Sequence, residues 1–122
     1  MILTGSNEFK KIKDSIPLGV NLLAVSKGHK HDSIRKLSGY GQLDFGESRL
    51  QEAILKKIDL SDLTQLRWHF VGTLQKNKVR RVIKEFDFIH SVDSLPLLER
   101  ISRISREEQK SPNIFLQVKD CL

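Results

Sequence analysis

The chain has 122 residues and a net charge of +6, with 39% hydrophobic and 30% charged residues. This composition is typical of a globular protein and excludes a disordered or fibrous one. We expect one domain over residues 1–122, although this length is about half that of a usual eight-stranded β/α barrel. The sequence has no apolar run long enough for a membrane span and no export signal at its start, which predicts a cytoplasmic protein.

The cysteine count and the distribution of charge narrow the function further. Cys121 is the only cysteine, so an internal disulfide and a cysteine-based metal cage are excluded, and we interpret it as an incidental exposed thiol. The basic excess divides evenly between the two halves of the chain. An even distribution argues against the concentrated basic surface that nucleic-acid binding requires.

Short apolar runs alternate with stretches of helical periodicity, which predicts repeated β/α units and a parallel sheet. A first helix is expected over 6–15, before Pro17 and Gly19. The predicted strands are 22–25, 43–47, 67–72, 88–92 and 114–118. Four helices are predicted between the strands. The first starts at Asp32 and ends at the break over 39–41, the second and third cover 50–58 and 77–86, and the fourth runs from a Ser94 cap to about Gln109. The predicted fold is therefore α/β, a parallel β/α barrel truncated to about five units, because five strands cannot close a barrel.

Lys27 is the first candidate for chemistry. It follows the apolar run LLAV and precedes Gly28, which places an amine at the carboxyl end of a barrel strand, where barrel enzymes build their sites. A lysine there could attack an aldehyde and form a Schiff base. The alternative is an ordinary surface lysine at a strand end.

Other residues are also candidates for the site, and each has a structural role as the alternative to a functional one. Gly46-Glu47-Ser48 lies at a strand-to-helix turn that could meet an anion, although Glu47 could simply complement the helix dipole. His69 could line the barrel interior or be a satisfied core histidine. His29 and His31 lack further ligands at metal-binding spacing, so no metal site is expected.

Five segments carry a resemblance to a known family: LLAVSK at 22–27, FGESRLQE at 45–52, WHFVGTLQKNKVR at 68–80, IHSVDS at 89–94 and FLQVK at 115–119. In this order they resemble the pyridoxal-phosphate homeostasis proteins, whose barrel is similar to the N-terminal domain of alanine racemase. The resemblance implies that Lys27, which closes the AVSK motif, holds pyridoxal 5′-phosphate (PLP) as an internal aldimine. It also implies a protein that binds and buffers the cofactor without catalytic turnover.

The resemblance extends to other residues near the cofactor. The family's GEN triplet is Gly46-Glu47-Ser48 here, so a hydroxyl replaces an amide donor. His69, Ser91 and Asp93 match the WHF and HSVDS motifs, which implies that they line the pocket. The family's QVN after the fifth strand is Gln117-Val118-Lys119 here.

The family's phosphate-binding loops, and the arginine that faces the pyridine nitrogen, belong to the second half of the barrel. We therefore expect weak cofactor binding by these 122 residues alone. Strands 22–25 and 114–118 would lack neighbours in a half-barrel, which leaves unpaired edges and uncovered apolar surface. We expect either self-association or pairing with a complementing C-terminal half.

Two further functions remain open at this stage. A racemase-like PLP enzyme would need an acid/base residue opposite Lys27, and the only tyrosine, Tyr40, falls in a helix-ending turn. A nucleic-acid-binding module would depend on the basic residues between Lys76 and Lys84. That basic run lacks the interleaved aromatic residues of single-strand binders, so we expect no nucleic-acid partner.

Overall fold

Five parallel strands form one sheet in the order β1-β2-β3-β4-β5 in the computed structural model, which describes residues 6–118. The strands are β1 Ala24–Val25, β2 Asp44–Glu47, β3 Arg67–Phe70, β4 Phe88–Val92 and β5 Asn113–Leu116. The helices are α1 Ser6–Ser15, α2 His31–Gly39, α3 Leu50–Asp59, α4 Val79–Glu85 and α5 Leu95–Glu108. The predicted alternation and the parallel sheet are confirmed. Cys121 and Lys119 lie outside the described residues, and the prediction of one domain over 1–122 stays a prediction.

Four of the five strands are shorter than predicted, whereas β4 matches the predicted 88–92. The largest fraction is lost from β1, which keeps two of its four predicted residues. Its pairing with β2 is limited to Ala24 opposite Phe45 and Val25 opposite Gly46. The side-chain amide of Gln42 donates to the carbonyl of Leu22 at 2.7 Å and to that of Asp44 at 2.9 Å. A side chain therefore takes the carbonyl that a longer strand would have used.

The helix predicted over 77–86 also differs in detail. It begins as a 3₁₀ turn at Lys76–Lys78, continues as α4 and ends at Glu85, since Phe86 is extended. The α5 ends match the prediction closely. The hydroxyl of Ser94 accepts a hydrogen bond from the amide of Leu97 at 3.3 Å, and Gln109 terminates the helix with a left-handed φ of 53°.

The hydrophobic core lies between one face of the sheet and the helices. Strand residues alternate, so Phe45, Trp68 and Ile89 turn toward the helices and are buried against their apolar sides. The helices contribute the buried side chains Ile34, Ala53, Val82, Ile83, Leu97, Ile101 and Ile104. No helix within 6–118 has the length and apolar content that a membrane crossing requires.

We expect the substitution Ile101→Ala to lower the free energy of unfolding by about 2 to 5 kcal/mol, because it removes a fully buried side chain from α5 and leaves a cavity. Ile58→Ala on α3 is the matched control, since 67% of the Ile58 side chain is exposed, and its effect should stay within about 0.5 kcal/mol. Urea unfolding followed by circular dichroism measures both. Equal destabilisation by the two substitutions would contradict the assignment of the core.

Candidate functional site

The carboxyl ends of the five parallel strands meet at one edge of the sheet, which we call the rim. Lys27 follows β1, Ser48 follows β2, Gly72 follows β3, Asp93 follows β4 and Gln117 follows β5. Barrel and open α/β proteins build their binding sites at this edge. The topology therefore brings one residue from each of the five predicted motifs to one side of the molecule.

Lys27 occupies the second position of a tight turn at the rim. The amide of His29 donates to the carbonyl of Ser26 at 3.1 Å, and Gly28 has a φ of +75°. A positive φ at the third position is typical of a type II turn and favours glycine. The Lys27 side chain is exposed, and no hydrogen bond or ion pair to another residue of 6–118 engages its amine.

A buried ionic cluster lies beside this turn. The ammonium of Lys56, 1% exposed, is 2.9 Å from one carboxylate oxygen of Glu47 and 3.0 Å from Oε1 of Glu52. It also donates to the carbonyl of Ser26 at 2.8 Å, so its three N–H groups have three partners. The hydroxyl of Ser26 donates to the second carboxylate oxygen of Glu47. Buried charges need such complete pairing, because desolvation is costly.

Glu52 links this cluster to the turn. Its Oε1 accepts a hydrogen bond from the amide of Gly28 at 2.8 Å as well as from Lys56. The hydrogen bond from Lys56, and then the one from Gly28, hold the pKa of the Glu52 carboxyl below its usual value. Glu52 is thus an ionised acceptor at neutral pH.

The structure changes the interpretation of Glu47. The sequence predicts a cofactor contact, whereas the carboxylate is fully buried and bonded to Lys56 and Ser26. In this arrangement Glu47 supports the residue that precedes Lys27. A direct contact with a cofactor stays a prediction.

Ser48 lies partly exposed at the rim, and its backbone is in close contact with the loop after β3. A Cβ atom built on Gly72 would lie 2.3 Å from the carbonyl oxygen of Ser48. No side chain fits there, so Gly72 is needed for the two loops to approach. β3 ends at Phe70, earlier than predicted, although the amide of Val71 still donates to the carbonyl of Glu47 at 2.9 Å.

A second polar cluster lies on the sheet face opposite the helices, toward the amino ends of the strands. Arg67 forms a bidentate pair with Asp44 at 2.8 and 2.6 Å, and Nε2 of His69 is 2.9 Å from Asp44. Nδ1 of His69 lies 2.9 Å from Nε2 of His90. The rings of Phe88 and Phe115 stack on the two imidazoles, with centroids 4.0 and 4.3 Å apart. These residues surround an open cavity of about 370 Å³.

Hydrogen bonds engage both ring nitrogens of His69. Since a carboxylate oxygen accepts, Nε2 of His69 donates to Asp44. Burial, and then the neighbouring His69, lower the pKa of His90. His69 is 6% exposed with both nitrogens engaged, which favours the core-histidine interpretation; its predicted role in lining a cofactor pocket stays a prediction.

Ser91 is the predicted site residue whose buried polar atom has no partner within residues 6–118. Its hydroxyl oxygen is buried within β4 and has no hydrogen bond to any residue of the described range. The register of β4 against β5 is irregular between Ile89 and Val92, which places Ser91 at the irregularity. An unpaired buried hydroxyl is costly in isolation, so Ser91 is available for a further polar group.

The basic residues of α4 are compensated by acidic ones. Arg80 pairs with Glu107 and Glu108, each at 2.7 Å, and Arg81 pairs with Glu85 at 3.2 Å. These pairs engage two of the five basic residues between Lys76 and Lys84. The expectation of no nucleic-acid partner stays a prediction. Between residues 6 and 118, no group of three or more His, Cys, Asp or Glu is arranged to hold a metal ion.

Sequence reasoning missed the residues that hold the Lys27 turn, namely Ser26, Glu52 and Lys56. A signal was present in α3, where Lys56 falls on the same stripe as the buried Leu50 and Ala53. A lysine on an apolar stripe needs a buried partner, and Glu52, four residues earlier, is a carboxylate on the same side of the helix.

The paired state of Asp44 predicts how stability depends on pH. Burial alone would raise the pKa of Asp44, but the hydrogen bonds from Arg67 and His69 outweigh it and lower the pKa below its usual value. This stabilisation is therefore present above the ordinary pKa of aspartate and is lost as pH falls through the lowered value. We expect Asp44→Asn to reduce the free energy of unfolding at neutral pH by about 1 to 3 kcal/mol and to flatten its fall in acid.

Asp62→Asn is the matched control for this prediction. Asp62 also forms a two-bond pair with an arginine, Arg35, at 2.8 and 3.0 Å, but 61% of its side chain is exposed. Exposed pairs contribute little, so the control should resemble the unsubstituted chain. Urea unfolding at a series of pH values from about 2 to 7 measures both, and an unchanged acid slope in Asp44→Asn would contradict the prediction.

Known proteins that are similar to this chain include pyridoxal phosphate homeostasis proteins. A pyridoxal phosphate homeostasis protein of Synechocystis is 40% identical over 111 residues, which are 91% of this chain and 51% of that protein. One of Pseudomonas aeruginosa is 42% identical over 102 residues, covering 84% of this chain and 44% of that protein. These relatives confirm the resemblance, and the chain spans about half of their length.

Solved structures show the same fold. PipY of Synechococcus elongatus PCC7942 matches with a TM-score of 0.91 at 46% identity, both without PLP and with PLP bound, over 93% of this chain and 53% and 54% of those chains. An alanine racemase of Clostridium difficile matches with a TM-score of 0.72 at 15% identity and covers 93% of this chain and 33% of that one, which shows the fold alone. The predicted fold, part of a β/α barrel, is confirmed. Since residues 6–120 match the model of the family described as alanine racemase, N-terminal domain, the chain belongs to that family.

Proposed function

We propose that this chain binds pyridoxal phosphate through the amine of Lys27 and serves in homeostasis of the cofactor. The observation that carries the proposal is the state of Lys27, an exposed amine without an acceptor among residues 6–118, on a turn whose backbone is hydrogen-bonded to Glu52 and Lys56. The homologous structure with PLP bound, 46% identical to this chain, supports it. A cytoplasmic location and the absence of turnover remain predictions within the same proposal.

The residues at the rim match the aldehyde group of the cofactor, which is its reactive part. PLP supplies an aldehyde, which condenses with a neutral amine and releases water. Lys27 would supply that amine, and the hydroxyls of Ser48 and Ser91 would offer polar contacts. The unpaired oxygen of Ser91 is the structural observation that favours a polar ligand here.

The enzymatic alternative has less support. A racemase-like catalyst needs a second acid/base group opposite Lys27, and Tyr40 instead ends α2, where its ring lies 6.2 Å from that of Phe9. The nucleic-acid alternative is weakened by the ion pairs of Arg80 and Arg81. Binding without turnover thus explains more of the arrangement.

We expect reduction with borohydride in the presence of pyridoxal phosphate to label Lys27 ahead of the other lysines, since Lys27 ends the AVSK motif at the rim and its amine has no competing partner within the described residues. Mass spectrometry of the digested chain locates the adduct. Lys27→Ala should abolish the main adduct, whereas Lys30→Ala, which removes an exposed lysine three positions away, should leave it unchanged. Labelling spread evenly over surface lysines would refute the proposal for Lys27.

The proposal includes a partner for the sheet. Strands β1 and β5 each pair on one side only within the described residues, and several apolar side chains near them are exposed. Val25 is 50% exposed, Phe115 48%, Leu116 65% and Val118 89%. Apolar surface beside unpaired edges favours association. The candidates are a second copy of the chain or a complementing C-terminal half.

We expect the purified chain to form dimers or larger species in light scattering after size exclusion. Phe115→Lys would weaken this association by placing a charge on the uncovered face, while Leu55→Lys, on the exposed side of α3, would not. A monomer that binds no hydrophobic dye would contradict self-association. A separately made C-terminal half from a relative can then be added. Elution of the two chains together as one complex would support complementation instead.

A further inference from the structure

We propose that Glu52 and Lys56 of α3 form a clamp that holds the peptide groups on both sides of Lys27 and thereby positions its amine. This inference deepens the proposed function of Lys27 and rests on it. Glu52 and Lys56 are positioning residues here, because they act through the backbone of the turn. They are one helical turn apart, so one rigid element carries both halves of the clamp.

The first half of the clamp holds the peptide that precedes Lys27. The carbonyl of Ser26 belongs to the Ser26–Lys27 peptide and accepts from Nζ of Lys56 at 2.8 Å. The same oxygen closes the turn by accepting from the amide of His29 at 3.1 Å. Both acceptor positions of this oxygen are therefore filled, which fixes the orientation of the peptide plane.

The second half holds the peptide that follows Lys27. The amide of Gly28 belongs to the Lys27–Gly28 peptide and donates to Oε1 of Glu52 at 2.8 Å. Oε1 also lies 3.0 Å from Nζ of Lys56, so the two halves share an ion pair. Gly28 is the residue of the turn with the greatest backbone freedom, because glycine has no Cβ atom. The hydrogen bond to Glu52 restricts the backbone at this residue.

The burial of Lys56 indicates a use beyond general stability. Leu50 and Ala53 show that this stripe of α3 packs against the core, and a buried ion pair rarely stabilises a fold more than an apolar side chain of similar volume. A lysine of this reach can, however, deliver a charge-assisted hydrogen bond to the Ser26 carbonyl, which an apolar side chain cannot. Burial of the Lys56 ammonium therefore has a structural result, which is a hydrogen bond that orients the peptide group beside Lys27.

Glu52→Ala is the decisive variant, because 26% of the Glu52 side chain is exposed and its loss leaves Lys56 paired with Glu47. Glu52→Gln is the conservative rescue, since a single amide oxygen can accept from both Gly28 and Lys56. Asp59→Ala is the matched control: Asp59 lies on α3, pairs with His31 at 2.8 Å and makes no bond to the turn.

Two measurements on the 122-residue chain test the clamp. The first is hydrogen exchange of the Gly28 amide by NMR without cofactor, which Glu52→Ala should accelerate by about tenfold or more. The second is the ratio of borohydride-trapped pyridoxal phosphate at Lys27 to that at Lys30, which should fall by about tenfold as the turn that carries the amine loses its fixed orientation. A purely structural role would lower global stability without changing this ratio.

We expect Glu52→Gln to restore most of both values and Asp59→Ala to change neither. Unchanged Gly28 exchange in Glu52→Ala would overturn the clamp, and accelerated exchange with an unchanged labelling ratio would overturn positioning. If the unsubstituted chain shows no preference for Lys27, the proposed function fails, while the exchange measurement still decides the clamp. Should Glu52→Ala not fold, Glu52→Asp, whose carboxylate is too short to reach Gly28, gives the same test.

Discussion

The buried ion pair between Lys56 and Glu47 is the interaction on which the rim depends. It joins three elements, because Glu47 ends β2, Lys56 belongs to α3 and both bond to Ser26 directly after β1. Such a pair is stable only when every donor and acceptor is satisfied, and Ser26 and Glu52 complete it. The end of a two-residue strand is thereby held by side chains where few backbone bonds are available.

The two faces of the sheet have different roles because strand residues alternate. One face packs Phe45, Trp68 and Ile89 against the helices and supplies most of the buried apolar area. The opposite face carries His69 and His90 between stacked phenylalanine rings, a polar and aromatic surface that the helices do not cover. The sheet thus gets its stability from one face and leaves the other open for a ligand or a further layer of protein.

Much of this fold follows from the sequence, since strand and helix periodicities and the Ser94 cap depend on neighbouring residues. The shortening of β1 does not, because the side chain of Gln42 reaches back to Leu22 across the sheet. The candidate site divides in the same way. Lys27 is identified by its local motif, whereas the engagement of Glu47 by Lys56 depends on how α3 packs against β2, which local sequence does not determine. Pairing of buried charges between distant parts of the chain therefore cannot be predicted from local sequence.

Lys56 and Lys27 lie close together in the structure but differ in burial, and this difference gives their amines different roles. Lys56 has an acceptor for each of its N–H groups and is closed to solvent, so it serves as a fixed donor to the backbone. Lys27 is exposed and has no acceptor within residues 6–118. The carboxylates of Glu47 and Glu52 are paired with Lys56. The turn is therefore held through its backbone, without an ion pair to the side chain of Lys27.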